Sequence, residues 1–301
     1  MIDLSCYDPN KWIFNSYDKN NDSKEGFYLY EENQRNPGWH LVRIGRPSGS
    51  TVGACVGHSN FGNQDDTALE ICGIKKKVFD EKSLARMNHG VEFEDTARDF
   101  YENKIVRDYY ERTTGLKVKE LGYIIPSWDL RIGVSLDGEI EILNNDNKVE
   151  TMKEDGEIEV KIESKVEEDN KIEKESKVEE DNKTERENGI IEIKCPQKMY
   201  EPLKGAIQTR KMGFKISGYS HIPITHYDQM QLGMAIRKRS FCDYIVYCTS
   251  SDSVFTQRIP FNLEYWSKSF YPTISWFCDN KIKPNLQQGL PLCPPGLSCY
   301  P

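Results

Sequence analysis

The sequence predicts a single α/β domain built on a central mixed sheet with flanking helices. Three observations carry that prediction. Two segments rich in β-branched residues, "RIGVSLDGEIEI" (131–142) and "GIIEIKCP" (189–196), read as strands. Two others, 83–112 and 225–239, space their apolar residues at helical intervals. Between the strands lies a stretch of almost pure charge, 144–187, where a hairpin turn would join them.

The bulk numbers set the frame. With 301 residues the chain is long enough for a packed core, and 37% hydrophobic with 29% charged residues describes a soluble protein. No run approaches the ~18 apolar residues of a bilayer span. The start, "MIDLSCYDPNKW", lacks a basic region followed by an apolar one. The expectation is an intracellular protein, not secreted and with no membrane partner. The nine cysteines are scattered and make no pair of C-x2-C motifs, which argues against zinc and for free thiols in a reducing compartment. Cys195 reads as a small buried residue, because no Ser/His/Asp-like partner pattern surrounds it.

The net charge of -8 is unevenly spread. Residues 144–187 hold 17 acidic and 9 basic residues and so carry all of it, leaving a neutral body. Within that segment "ESKVEEDNK" at 163–171 recurs at 175–183. Almost free of aromatic residues, it cannot bury enough apolar surface to offset its ordering entropy, and it is expected to be an unordered or loosely helical insertion. On the neutral body, "RKMGFK" (210–215) and "RKR" (237–239) are candidate basic patches, against the plainer reading of solvated faces.

Taken in order, an N-terminal extension covers 1–38 and the domain proper 39–278, interrupted by 144–187. The helix of 83–112 is expected to break near Gly90, placing Glu94 near the start of a core-facing helix. A carboxylate there is either a site residue or half of an i,i+4 pair with Arg98. Asp137 and Glu192 are 55 positions apart; without the 44-residue insertion the separation is of hairpin scale, so the two strands are expected to be neighbours. In 225–239, Tyr227, Met230 and Met234 form one stripe with Gln229 and Gln231 beside it. A strand over 241–250 and an aromatic-rich helix over 261–278 follow. The proline-rich tail, 279–301, is expected to be extended or poorly ordered.

In "GIIEIKCPQ" the i,i+2 rule turns Glu192 and Lys194 to one face and Ile191 and Ile193 to the other. An exposed ion pair on an edge strand would explain a lone E-x-K. Here, however, Asp137 arrives on the adjacent strand and Glu94 from a helix. Asp137 and Glu192, joined by the backbone carbonyl of Ile193, would suit a hard divalent cation such as Mg²⁺ or Mn²⁺, which prefers one or two carboxylates with phosphate and water. Phosphodiester hydrolysis needs an activated water and a neutralised leaving oxygen, which such an ion supplies. Lys194 could orient that water or stabilise the charged phosphorus centre.

These residues resemble the PD-(D/E)xK nucleases, and within them the lambda exonuclease and YqaJ-type viral recombinase group. The matching pieces run in family order: "WHLVRIGRPSGS" (39–50), "GVEFEDTAR" (90–98), "SLDG" (135–138), "EIKCP" (192–196) and "DQMQ" (228–231). The resemblance implies a restriction-endonuclease-like sheet with Asp137, Glu192 and Lys194 as catalytic core, Glu94 as an additional metal-side acid, and Gln229 near the active site. It also places Arg43 and Ser50 in a pocket for a DNA 5′-phosphate. The family's second pocket arginine has no counterpart in "CPQKMYEPLK", where Lys198 and Lys204 stand instead. The implied activity is a metal-dependent deoxyribonuclease, a 5′→3′ exonuclease resecting linear double-stranded DNA. The implied partners are DNA ends, a single-strand annealing protein and a homotrimer, in a viral or phage setting inside a host cell. The alternatives are an endonuclease on branched or specific DNA and a non-hydrolytic DNA-binding scaffold that keeps the fold.

Overall fold

The structure, a computed structural model, describes residues 2–17, 25–59, 62–105, 116–142, 149–152, 158–161, 189–196, 222–249 and 253–300. Its strands are β1 (Trp12–Ser16), β2 (Gly26–Tyr30), β3 (Leu116–Lys119), β4 (Tyr123–Pro126), β5 (Gly138–Ile142), β6 (Val149–Met152), β7 (Ile158–Lys161), β8 (Ile190–Lys194), β9 (Phe241–Cys248) and β10 (Ser253–Pro260). Five of them form the mixed central sheet in the order β10-β9-β8-β5-β3. Strand β8 runs parallel to β9 and antiparallel to β5, with Gly138 opposite Ile191 and Glu139 opposite Ile190. The two segments that the spacing predicts to be neighbours are therefore paired. A neighbour on either side buries every residue of β8 except Lys194, which is half-buried.

Inside the acidic segment, β6 and β7 pair antiparallel, in register from Val149–Lys161 to Met152–Ile158. Local β-order thus replaces the unordered or loosely helical stretch expected there. Val149 and Thr151 in β6, and Ile158 and Val160 in β7, supply the β-branched residues a ladder favours. The rest of the insertion lies outside the described residues. The N-terminal part is also more than an extension, because β1 pairs with β2 and β2 with β4 in a second, three-stranded sheet.

Helices cover both faces of the central sheet. They are α1 (Pro37–Arg43), α2 (Gly49–Cys55), α3 (Gln64–Ile71), α4 (Glu81–Phe100) and α5 (Ile224–Arg237). A last helical run, α6, joins Leu263–Tyr265, Trp266–Phe270, Tyr271–Phe277 and Cys278–Ile282, its second and fourth pieces with π spacing. Under α4, Ala97 and Tyr101 meet Val118, Ile140, Ile191, Ile193 and Ile245. On the opposite side Tyr227, Met230 and Met234 of α5 meet Ile190, Leu136 and Tyr244, so the predicted stripe is core.

Four expectations need correction. Helix α4 does not break at Gly90; it continues from its Asp80 cap, whose side chain accepts from the Ser83 N–H at 2.7 Å, and the irregularity comes at the π-helical Tyr101–Ile105. A glycine costs a helix only about 1 kcal/mol, which twenty residues absorb. Nor does its first half face a core, since Leu84, Met87 and Val91 are exposed. The tail is not loose: Leu292 and Cys299 are buried, and Cys293 is disulfide-bonded to Cys299 instead of free. There it covers Arg46, a fully buried guanidinium bonded to the Val42 and Leu130 carbonyls at 2.7 and 2.8 Å and lying 2.9 Å from the Cys299 sulfur. Finally, "RKR" is consumed inside the fold. Arg237 and Arg239 both hold the buried Glu139 carboxylate, and Lys238 pairs with Glu25 at 2.8 Å. "RKMGFK" lies outside the described residues.

Two close approaches set the site's walls. A side chain at Gly53 would come within 2.8 Å of Thr225, so only glycine lets α2 lie this tightly against α5. At Gly138 an added Cβ would stand 2.2 Å from Val118 and 2.9 Å from Ile191. Replacing Gly138 by alanine is therefore expected to overpack the β3–β5–β8 contact and cost roughly 1 to 3 kcal/mol. A lowered urea midpoint at unchanged slope would be the observation; an unchanged midpoint would show that the sheet yields there.

Candidate active site

Strand β8 carries opposite charges into the centre of the sheet. Alternation sends Ile191 and Ile193 under α4 and Ile190 toward α5, so Glu192 and Lys194 project together on the α5 side. Glu192 is 4% exposed, and its Oε1 accepts a hydrogen bond from the Lys194 ammonium. An edge-strand surface pair is thus not what the fold builds. Taking two charges out of water costs several kcal/mol per ion before their attraction is counted, which makes this pair poor value as a structural device.

Asp137 stands immediately before β5. The β5–β8 pairing begins at Gly138 and Ile191, so the next β8 amide on that side, Ile193, has no strand residue to bond. Asp137 supplies the acceptor instead, its Oδ2 taking the Ile193 N–H at 2.7 Å. The carboxylate is thereby fixed beside Glu192 by a gap in the ladder.

Glu94 arrives from the fourth turn of α4. Its carboxylate accepts from Arg35 at 2.6 Å and from Arg98 at 3.3 Å, and Arg98 Nε also donates to the Asp137 carbonyl at 3.0 Å. The i,i+4 pair of Glu94 with Arg98 exists, and Arg98 also ties the helix to the entry of β5. Burial raises the Glu94 carboxyl above its ordinary value, Asp137 adds to the rise, and the two arginines oppose it. Burial pushes Glu192 up to about 8, again with Asp137 and Glu94 adding and Lys194 opposing. Burial alone would lower Lys194, but Glu192 and Asp137 outweigh it and hold the ammonium protonated.

Carboxylates that raise one another's proton affinity in this way suit a hard, doubly charged cation. Among the described residues no three His, Cys, Asp or Glu side chains gather as a ready-made cage. Asp137 and Glu192 instead offer two carboxylates, the incomplete kind of set that Mg²⁺ uses when other oxygens complete it.

A second cluster forms where α1 meets α2. The Arg43 guanidinium lies 4.0 Å over the Trp39 ring, whose Nε1 is held by Ser135 at 2.8 Å. Arg43 Nη2 donates to Ser48 at 3.1 Å and to Ser50 at 3.0 Å. No carboxylate pairs with it among the described residues, and burial lowers its proton affinity. A planar donor braced by hydroxyls and lacking a counter-ion is suited to an anion.

A cavity of about 1070 Å³ joins the two clusters, with Ser50, Lys194 and Gln229 in its wall. Gln229 lies against Gly49, where an added Cβ would stand 3.1 Å from its Cγ. The predicted residues are thus brought together: Glu192 beside Lys194, Asp137 and Glu94 within electrostatic reach, and Arg43 beside Ser50. Lys198 and Lys204 lie outside the described residues. Ser48, Arg35 and His58 carry no signal of their own in the sequence, and Arg98 reads there only as half of a helix pair. "GRPSGS" offers two serines with nothing to prefer one, and Arg35 lies in a segment with no periodicity to assign it.

The profile of the YqaJ-like viral recombinase domain matches residues 38–240. No curated protein matches significantly. Among solved structures, the chain is similar to the alkaline exonuclease LHK-Exo from Laribacter hongkongensis, with 19% identity and a TM-score of 0.45 over 82% of this chain and 95% of that one. The same exonuclease in complex with dAMP gives 19% identity and a TM-score of 0.44 over the same shares.

Cys195, directly after the E-x-K strand, is buried, and burial pushes its thiol up to about 12 with Glu94 and Asp137 adding to the rise. A thiol so held is a poor nucleophile. Iodoacetamide at neutral pH is therefore expected to alkylate the exposed Cys6 in the folded protein and Cys195 only after unfolding, as read by peptide mass spectrometry. Prompt labelling of Cys195 would reopen its candidacy as a nucleophile.

Proposed function

The chain belongs to the family of YqaJ-like viral recombinase domains, and from there we propose that it is a divalent-metal-dependent deoxyribonuclease, a 5′→3′ exonuclease that resects linear duplex DNA. The observation that carries the reading is the buried Glu192–Lys194 pair on a central strand, with Asp137 latched to the amide between them. Asp137 and Glu192 would hold the cation, together with the Ile193 carbonyl. Once bound, that ion supplies Lewis acidity toward the phosphate and a water of lowered pKa.

The chain's own groups do the rest. Lys194 stays protonated beside Glu192, so its ammonium can orient the attacking water and offset charge gathering on the phosphate oxygens. Glu94, restrained by Arg35 and Arg98, keeps further negative charge on the metal side. Gln229, seated on Gly49, offers an amide to the reacting phosphate from the cavity wall. Arg43, with Ser48 and Ser50, holds the terminal 5′-phosphate, a group that an internal cleavage site lacks, and so fixes polarity. The single-stranded tail left by resection is the substrate that a single-strand annealing protein takes up.

Glu192→Gln and Lys194→Ala are each expected to lower hydrolysis of linear duplex by at least roughly a hundredfold while leaving DNA binding in place, measured with Mg²⁺ against an EDTA control. Near-wild-type turnover in either variant would remove the assignment, and cleavage of covalently closed circles would favour an endonuclease.

Polarity has its own test. A hydrogen bond to a charged group contributes about 1.5 to 3 kcal/mol, so Arg43→Ala should slow degradation of 5′-phosphorylated ends by about ten- to a hundredfold and of 5′-hydroxyl ends little. Equal slowing on both substrates would mean that Arg43 does not read the terminal phosphate.

A further inference from the structure

Beneath the cavity floor lies a carboxylate that the proposed reaction does not use. Asp228 of α5 is fully buried, at 0% exposure. Its Oδ1 accepts from the Tyr265 hydroxyl at 2.5 Å and its Oδ2 contacts His58 Nδ1 at 2.8 Å. No lysine or arginine pairs with it among the described residues. A buried carboxylate needs a cationic partner, and tyrosine supplies only a neutral donor. His58 is the group in place to be that cation.

The imidazole is held accordingly. Its side chain is 33% exposed and lines the cavity, while Nδ1 faces Asp228. The atom left for a ligand is Nε2, which in the charged ring is a donor. His58 follows the C-terminal end of α2, whereas Ser48 and Ser50 stand at the start of that helix. Seven helical residues span about 10 Å, so an anion on His58 would lie roughly that far from one on Arg43. The distance is too long for one phosphate and suitable for two on a DNA backbone.

We infer that His58, oriented by Asp228 and Tyr265, is a binding residue for an internal DNA backbone phosphate, inward of the terminal one held by Arg43. The inference rests on the nuclease reading. It makes DNA affinity depend on pH: the contact exists while the ring is protonated and is lost as pH rises through its pKa. The Asp228 hydrogen bond raises that pKa above an ordinary imidazole's, against the lowering by partial burial, and so extends the window upward. The ionisable groups around the ring are Asp228 with Tyr265 behind it, and Glu70, Lys77, Asp80, Arg86, Lys194 and His226 along the cavity wall. His226 is the other imidazole, bonded through Nδ1 to the Tyr244 hydroxyl at 2.9 Å, so the effect must be read as a difference between proteins.

The test measures binding of a 5′-phosphorylated blunt duplex in EDTA, by fluorescence anisotropy, from about pH 5.5 to about pH 8.5 at several salt concentrations. Compared with wild type, His58→Gln is expected to weaken binding several-fold at the acid end and little at the alkaline end. Its plot of log affinity against log salt should be shallower by about 0.9 at the acid end alone, the loss of one phosphate contact. His58→Lys should restore the affinity and make it independent of pH in this window. Asp228→Asn should move the wild-type midpoint to lower pH.

A His58→Gln profile that matches wild type overturns the inference, and so does an equal loss at both ends of the range, which would mark a structural role. In either case a wild type that still binds and degrades duplex DNA leaves the nuclease reading standing. A wild type that binds no duplex DNA at any pH removes both.

Discussion

Everything at the site depends on two opposite charges standing on a strand that has neighbours on both sides. A surface strand could carry Glu192 and Lys194 at almost no cost, and the pair would mean nothing. On β8 the same residues lose water, raise one another's electrostatic stakes and demand compensation. Where the β5 side of the ladder is one residue short, Asp137 caps the Ile193 amide with its side chain, and its charge favours the Lys194 ammonium. The compensation adds a further negative charge beside Glu192. What would be a defect in a structural sheet is the feature that makes this strand suitable for metal-assisted chemistry.

The sequence made the core of this arrangement legible because its signals are local or short-ranged once the charged insertion is set aside. The i,i+2 rule placed Glu192 with Lys194, and the residual spacing placed Asp137 beside them. The Tyr227, Met230 and Met234 stripe showed which side of α5 is core. Contacts set by tertiary packing were not legible. Gly90 carried a breaker signal that nineteen other helical residues overrode, and Arg98 looked like half of a surface pair until its second bond, to the Asp137 carbonyl, was visible. His58 gave no signal at all, since its meaning comes from Asp228, 170 positions away. The proline-rich tail misled for the opposite reason: its composition describes a chain without regular hydrogen bonds, but its buried residues close over Arg46.

Charge offers a parallel lesson. The run "RKR" looks like a nucleic-acid patch, yet Arg237 and Arg239 neutralise Glu139 inside the fold, and Lys238 is paired at the surface. The cations in the cavity wall, Lys77, Arg86 and Lys194, come from distant parts of the sequence, and only Lys77 belongs to a basic run, "KKK" (75–77). With Glu70 and Asp80 in the same wall, the cavity is mixed in sign, and its charge is not announced by the composition of any one stretch. Arg43 likewise belongs to no basic run, being a single guanidinium stacked on Trp39 with hydroxyls for company.

The distance between the Arg43 cluster and Lys194 is set by small residues. Gly53 lets α2 settle against Thr225, and Gly49 seats Gln229, so the helix that follows the Arg43 cluster is pressed onto the helix that carries the cavity's amide. On the far side of α5, Gly233 does the same against Ile190, where an added Cβ would stand 2.8 Å from the isoleucine and so push on β8 itself. The path from Arg43 through α2 and α5 to β8 runs through these close contacts. Under the proposed function, a terminal phosphate on Arg43 would stand at a separation from Lys194 that these contacts set. In a nuclease that works from an end, that separation decides which bond is presented for cleavage, and here three glycines and the thickness of one helix determine it.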